Sequence, residues 1–431
     1  MTRLGVMHMP IYEREVLYGR GTLPLKLDTA AHIETLLPTD TAGASDPEAV
    51  VATALARSLG RPLPPLSGMG SVAIAINDKT RPVPHEMMLP PLLRFLDEAG
   101  IAPEAITLII ATGTHIPMRP ETFASVVPPE VLARYRVVSH DCDAPDLVAL
   151  GTTSRGTPIV MNRLYMEADL RIVVGNVEPH HFAGFSGGVK SAAIGLAGRA
   201  TIAANHSLLR DPHSALAVYE DNPLRQDIEE IGRAAEIHFA LNVVMNDRKE
   251  IVDAFAGDPR AVIRAAMPVV RDIYEVPVRE PFDVMITCPG GYPKDINLYQ
   301  AHKSVSCANR VTREGGTIIL VAACEDGAGS EGYERFMARG FESHEAAMAQ
   351  FIREPFEVGP HKAYIFGRDA VRLARIYVVS EMLPVQVHRL LLTPVTLEEA
   401  VRAAIAPLPS SARVGVMPYG NATIPLLVSG D

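Results

Sequence analysis

The decisive stretch reads Leu170-Arg171-Ile172-Val173-Val174-Gly175-Asn176-Val177-Glu178-Pro179-His180-His181-Phe182-Ala183-Gly184-Phe185-Ser186-Gly187-Gly188-Val189-Lys190-Ser191 and runs on to Asn205-His206. Leu170 to Val174 reads as a buried strand. A Gly-rich turn that follows a strand and opens onto a helix offers backbone N–H groups and the positive end of a helix dipole to an anion, most often a phosphate. Lys190 stands where the turn becomes helix, among small or apolar residues. Desolvation there would lower its pKa and make the amine nucleophilic or open to covalent attachment. From local sequence alone, an ordinary helix-start lysine is an equal alternative. A P-loop fails on register, because Val189 separates Gly188 from Lys190 where that pattern needs Gly-Lys-Ser/Thr.

Working outward, two earlier apolar runs end in similar fashion. Residues 71 to 76 form a buried strand that leads into Asn77-Asp78-Lys79-Thr80-Arg81-Pro82, and Ile106 to Ala111 leads into Thr112-Gly113-Thr114-His115-Ile116-Pro117. Open α/β sheets place ligands outside the carboxyl ends of their strands, so both loops are well sited. Asp78 and Arg81 have the spacing of a local ion pair, and an arginine fork suits a carboxylate. A solvated turn is the plainer reading of that pair, as a surface site is of His115. A straight helix from Lys190 to Asn205 would hold its ends about 24 Å apart. If Lys190 and His206 serve one site, the helix must break, and Gly195 and Gly198 are the places for it.

The rest of the chain predicts an α/β protein of two domains with mainly parallel sheets. Residues 1 to 30 read as short strands and turns, Glu48 to Leu59 as a helix, and Pro62-Leu63-Pro64-Pro65 as an extended connection. A helix near Met88 to Gly100, a strand at Arg136 to Ser139, a helix over 222 to 236, a strand over His238 to Met245 and a helix from Val262 to Tyr274 complete the first domain, residues 1 to 275. Residues 276 to 281 form a linker, and residues 281 to 409 a smaller second domain, with strands at Phe282 to Thr287, Thr317 to Ala322, Arg375 to Val379 and Arg389 to Leu392. The tail, residues 410 to 431, contains the strand Arg413 to Met417, which is placed back in the first domain. Tyr299, Gln300 and Lys303 share one side of a helical turn, with Lys294 and His302 expected in solvent.

A chain of 431 residues is long enough for two cores. Its 48% hydrophobic and 21% charged residues are those of a globular protein, and a net charge of −10 argues against nucleic-acid binding. Small molecules or other copies of the chain are the expected partners. No apolar run approaches the roughly 20 residues that span a bilayer, so no membrane role and a cytoplasmic location are expected. Cys142, Cys288, Cys307 and Cys324 lie far apart and read as buried small hydrophobes.

The run from Pro179-His180 through Phe182-Ala183-Gly184-Phe185-Ser186-Gly187-Gly188 to Lys190, with His206 beyond it, resembles the nickel-dependent lactate racemase family. The loops at Asp78-Lys79-Thr80-Arg81-Pro82, Thr112-Gly113-Thr114-His115 and Pro293-Lys294-Asp295 to Tyr299-Gln300-Ala301-His302-Lys303 resemble further elements of that family. The resemblance implies a racemase or epimerase of 2-hydroxy acids, with a nickel-pincer nucleotide (pyridinium-3-thioamide-5-thiocarboxylic acid mononucleotide) covalently on Lys190 and Ni2+ held by His206. It implies that His115 and His180 are the acid–base pair, that Asp78 is an orienting carboxylate, and that Arg81, Gln300, Lys303 and Tyr299 face the substrate, with the active site in the cleft between the two domains. Ser186, Gly187 and Gly188 would line the cofactor. His181 adjoins His180, but the ten-residue interval from His180 to Lys190 matches the family better. Enzymes that synthesise the cofactor become expected partners.

That chemistry suits the residues. A 2-hydroxy acid is hard to invert by proton abstraction, because its carboxylate does little to stabilise a carbanion. Loss of the α-hydride to an electron sink, with the hydroxyl proton going to a base, gives a planar 2-oxo acid, and imidazoles on either face can exchange roles. Imidazole is also a suitable ligand for Ni(II). Where family members often carry basic residues, this chain has Val189 and Ile116, which widens the expected substrate from lactate to larger or less polar 2-hydroxy acids, or a sugar acid. Two other readings stand beside this one. An NAD-type dehydrogenase would need a Gly-x-Gly-x-x-Gly turn that the chain lacks after an early strand. A non-catalytic nickel or nucleotide carrier would need Lys190 and His206 but not His115, Arg81 or Gln300.

Overall fold

A computed structural model describes residues 11–63, 66 and 68–428. These divide into two compact units, one of Asp40–Ile273 and one in which residues up to Thr39 join those from Tyr274 onward. No helix among the described residues is long and apolar enough to cross a membrane.

The Asp40–Ile273 unit is built on a six-stranded sheet in the order Ile251–Gly257, Phe239–Met245, Leu170–Asn176, Val72–Asn77, Ile106–Ala111, Arg136–Ser139. All neighbours are parallel except the Ile251–Gly257 edge, which returns antiparallel from Phe239–Met245. Every residue of Val72–Asn77, Leu170–Asn176 and Phe239–Met245 is buried, as strands covered on both faces require. Ile74, Ile76, Leu108, Ile110, Ile172 and Val174 share one core cluster with Met88, Leu92 and Leu96 of the helix His85–Glu98. From Val72–Asn77 the chain winds to one side of the sheet and then comes back to lay Leu170–Asn176 on the other. The crevice at that reversal, beyond the carboxyl ends of these two strands, is where such sheets bind ligands.

The other unit holds a six-stranded, wholly parallel sheet in the order Thr393–Pro394, Arg375–Val379, Thr312–Val321, Phe282–Thr287, Arg413–Met417, His32–Thr35. Two parallel-rich α/β units therefore stand as expected, while their boundaries do not. His32–Thr35 pairs with Arg413–Met417, and Arg413 Nη2 lies 2.6 Å from Glu34 Oε2, so the N-terminal segment belongs with the C-terminal half. For the same reason the tail does not return to the first unit. The supposed linker is in part a strand, Glu275–Val278, paired with Ile424–Leu427. Over Arg389 to Leu392 a strand was expected. The chain is instead a helix, Pro384–Arg389, whose end turns through Leu391 at φ 62°. A short apolar run does not distinguish helix from strand, and which strand pairs with which is decided across the whole chain. Tyr12–Tyr18 and Gly21–Leu27 form a hairpin, in line with the expectation for that segment. Residues 1 to 10 and Pro64-Pro65 lie outside the described residues.

Candidate active site

Three neighbouring parallel strands of the Asp40–Ile273 unit deliver the loops singled out in the sequence. The turn after Val72–Asn77 is closed by the Arg81 amide donating to the Asp78 carbonyl at 3.0 Å. The ion pair that the spacing of Asp78 and Arg81 permits does not form. Asp78 Oδ2 accepts instead from His115 Nδ1 at 2.7 Å, and its Oδ1 accepts from the Thr80 amide at 3.1 Å and the Thr80 hydroxyl at 2.7 Å. Burial raises the Asp78 pKa, but the hydrogen bonds from His115 and Thr80 outweigh it and hold the carboxyl below its ordinary range. Asp78 is buried and His115 half-exposed, so the carboxylate fixes a ring that can still meet solute. With Nδ1–H given to Asp78, Nε2 carries the lone pair. Arg81 is exposed, and its guanidinium donates to the Thr80 carbonyl at 3.1 Å.

After Leu170–Asn176 the chain forms a small antiparallel ribbon in which His180 faces Gly184. Gly184 sits at φ +73°, and a Cβ there would fall 1.7 Å from the Val218 carbonyl oxygen, so only glycine fits. His180 Nδ1 accepts from the Ala183 amide at 3.2 Å, which leaves the ring proton on Nε2. Burial, then the charges of Lys190 and Arg81, lower the His180 pKa well below 6.5. The ring of Phe182 meets both His180, at 4.7 Å between centroids, and His206, at 5.3 Å.

The required break between Lys190 and His206 exists. Lys190–Ala193 is a single helical turn, and a new helix runs from Arg199 to Ser207. At Gly195 a Cβ would stand 2.2 Å from the Ser191 carbonyl oxygen and 2.7 Å from Ala111 Cβ, and Gly198 caps the second helix. Lys190 keeps part of its side chain accessible, yet burial of the amine brings its pKa to about 7, aided by Arg81 and Arg225 and opposed by Glu178. His206 is brought to about 3 by burial and the Lys190 charge, with a hydrogen bond to the Ile202 backbone working the other way. The charges of Lys190 and Arg81 thus act on both His180 and His206.

The glycine turn differs from the expected anion cradle. Gly187 and Gly188 adopt φ +78° and +58°, but the Gly188 amide is taken by Asn242 Oδ1 at 2.7 Å. The Ser186 hydroxyl accepts from the Glu178 amide at 3.0 Å and donates to the Asn176 carbonyl at 2.9 Å. These groups shape the loop. Sequence reading missed its supports: buried Arg225 donates to the carbonyls of Phe185 at 2.9 Å and Gly187 at 3.1 Å, and is paired with Glu229 at 2.6 Å. Arg225 and Asn242 are roughly 40 to 50 residues from the loop and carry no local motif. Val189 is buried against Gly232, and Ile116 is exposed beside His115.

Tyr299, Gln300 and Lys303 lie on the helix Leu298–Asn309 of the other unit. Lys362 Nζ donates to the Tyr299 carbonyl at 2.9 Å and sits 4.1 Å above its ring, while the Tyr299 hydroxyl is 3.4 Å from His361 Nε2. Lys303 is exposed and Gln300 partly so. His302, expected in solvent, is buried: Nε2 is 3.0 Å from Asp369 Oδ2 and the ring stacks on Phe366 at 3.8 Å. The four cysteines are free and buried, as expected.

Fold and site together define an α/β protein that gathers a lysine, an aspartate-held histidine and two neutral histidines at the switch point of one parallel sheet. Residues 18–217 match the lactate racemase N-terminal domain, and residues 278–424 match the lactate racemase C-terminal domain. The chain belongs to the lactate racemase family. It is 35% identical to a lactate racemase of Lactiplantibacillus plantarum over 83% of this chain and 85% of that one. A lactate racemase of Thermoanaerobacterium thermosaccharolyticum is 31% identical over the same shares. The lactate racemase apoprotein structure from that organism superposes with a TM-score of 0.88 at 29% identity, covering 96% of this chain and all of that one. A Thermotoga maritima protein shares the fold alone, at a TM-score of 0.64 and 19% identity.

Proposed function

We propose that this protein racemises or epimerises a 2-hydroxy acid through a 2-oxo acid, using a nickel-pincer nucleotide attached to Lys190 and liganded by His206. The observation that carries the reading is the reversal at Gly195–Gly198, after which the charge of Lys190, an amine poised near neutrality, acts on the neutral imidazole of His206. The donor set fits the group: an uncharged amine can form the covalent link, and neutral imidazole suits Ni(II). When bound, the group supplies an acceptor for the α-hydride, a role no side chain can fill.

The remaining work falls to the chain. Arg81 binds the substrate carboxylate, and its freedom from an ion pair among the described residues supports that. His115 presents its Nε2 lone pair and takes the hydroxyl proton, while Asp78 stabilises the imidazolium. His180 serves the opposite face and, in the resting protein, presents an N–H rather than a lone pair. Tyr299, Gln300 and Lys303 stand as candidate substrate contacts on the family resemblance alone. Lactate is the first substrate to test, and exposed Ile116 beside His115 favours apolar side chains as well. The expected setting is the cytoplasm, alongside the cofactor-synthesis enzymes.

The protein is to be produced with those enzymes and assayed by chiral chromatography over a panel of 2-hydroxy acids, with intact mass and nickel measured on the same sample. Racemate from one enantiomer, an adduct mapped to Lys190, and bound nickel are expected. An adduct without turnover of any acid would mean a carrier, and NAD-dependent turnover without an adduct a dehydrogenase.

A further inference from the structure

The break between Lys190 and His206 is held from outside by hydrogen bonds. The Gly113 amide donates to the Gly195 carbonyl at 2.9 Å, the Asn162 amide to the Leu196 carbonyl at 2.9 Å, the Gly198 amide to the Val160 carbonyl at 2.8 Å, and the Arg199 amide to the Cys142 carbonyl at 3.1 Å. Each of these joins backbone to backbone. The Ala197 carbonyl accepts from a side chain, His140 Nε2, at 3.0 Å.

His140 is fully buried and both its nitrogens are engaged. Asn162 Nδ2 donates to its Nδ1 at 3.2 Å, which requires the proton on Nε2, where Ala197 receives it. Its backbone is fixed too, with the carbonyl accepting from the Thr112 hydroxyl at 2.8 Å and the amide donating to Ile110 at 3.0 Å. Thr112 opens the loop that carries His115. One residue thus ties the end of the Ile106–Ala111 strand, through its backbone, to the middle of the reversal, through its ring. Burial keeps it neutral, with a pKa below the ordinary imidazole value.

We propose that His140 is a positioning residue for the cofactor: by holding the Ala197 carbonyl it fixes the separation of Lys190 from His206, and so whether a group attached to one can be liganded by the other. This rests on the function proposed above. Groups hydrogen-bonded to a metal ligand typically change metal affinity by ten- to a hundredfold, and His140, one step further out, is expected at the lower end of that range. His140→Gln places an amide near Nε2 and keeps the donor to Ala197, whereas His140→Asn reaches only the Nδ1 position, and His140→Ala keeps neither.

The test co-produces wild type and the three variants with the cofactor-synthesis enzymes. It measures the Lys190 adduct by intact mass and nickel by elemental analysis, and follows amide exchange of the apoproteins. The Ala and Asn variants are expected to keep the adduct but to hold about tenfold less nickel per adduct. Exchange should rise over residues 194–199 and not in the Phe282–Thr287 strand, and Gln should restore most of the nickel. If Ala does not fold, the Gln and Asn variants decide alone. Unchanged nickel per adduct in Asn, or Gln no better than Asn, overturns the proposal even where stability drops. Wild type with no adduct removes the cofactor reading itself, and the role of His140 with it.

Discussion

Asp78 Oδ2 and His115 Nδ1 are 2.7 Å apart, although 37 residues separate them and each ends a different strand. A carboxylate so placed fixes the tautomer and stabilises the imidazolium. Asp78→Asn is therefore expected to lower kcat by two orders of magnitude or more, about what positioned acid–base groups contribute, with a smaller change in KM. A kcat within threefold of wild type on the loaded enzyme would remove Asp78 from the mechanism.

The same carboxylate gives a stability signature. Its folded pKa is depressed, so the stability it contributes is present above its unfolded value, near 4, and is lost as pH falls through the folded one. Urea midpoints of wild type and Asp78→Asn should differ at pH 7 and draw together below pH 4. A gap that does not narrow as pH falls below 4 would mean that the substitution acts through packing.

Lys190 should announce itself in the apoprotein. With its pKa lowered to about 7 by burial, the amine is largely free above neutrality, while exposed lysines need about pH 10. Limited acylation across a pH series, followed by peptide mass analysis, should label Lys190 first, with a midpoint near pH 7. A midpoint near 10 contradicts the environment described. Between these values the unfolded chain binds a proton that the folded chain does not, so this group makes stability rise with pH over that window.

Glycine at 184 is demanded by shape. Gly184→Ala must move a Cβ off the Val218 carbonyl and should cost several kcal/mol or prevent folding, whereas Gly151→Ala, at φ +105° with no neighbour within 4 Å, should cost about 1 kcal/mol of backbone strain. Denaturation midpoints of the two variants compare them directly. Equal losses would show that the ribbon relaxes around residue 184.

Arg225 and Glu229 form a buried pair beneath the glycine turn. Arg225→Met alone leaves a buried carboxylate and should cost about 3–5 kcal/mol, while adding Glu229→Leu should return much of it. Because Arg225 also holds the Phe185 and Gly187 carbonyls, the double variant should recover stability without recovering Lys190 adduct formation. Full recovery of both would assign the loop's shape to its own sequence.

Much of this protein was legible in its residues. The largely apolar runs within Val72–Asn77 and Leu170–Asn176, short and β-branched, read as strands, and both are buried on both faces as central strands of a parallel sheet are. The distance between Lys190 and His206 along an ideal helix demanded a break, and the two glycines supplied it. Pairing was not legible. Glu34 gives no local sign that it will meet Arg413, since a strand of four residues accepts any edge, and only the folded sheet chooses between them. Nor did the residues around Asp78 reveal that its partner would be His115 rather than Arg81: three positions of sequence favoured the arginine, and the 2.7 Å contact made by adjacent strand ends decided for the histidine. Local sequence determined most of the elements and the chemistry they carry, though not the helix that ends at Arg389 or the strand Glu275–Val278. Tertiary structure alone decided which of those groups meet, because neighbours in a parallel sheet come from distant parts of the chain.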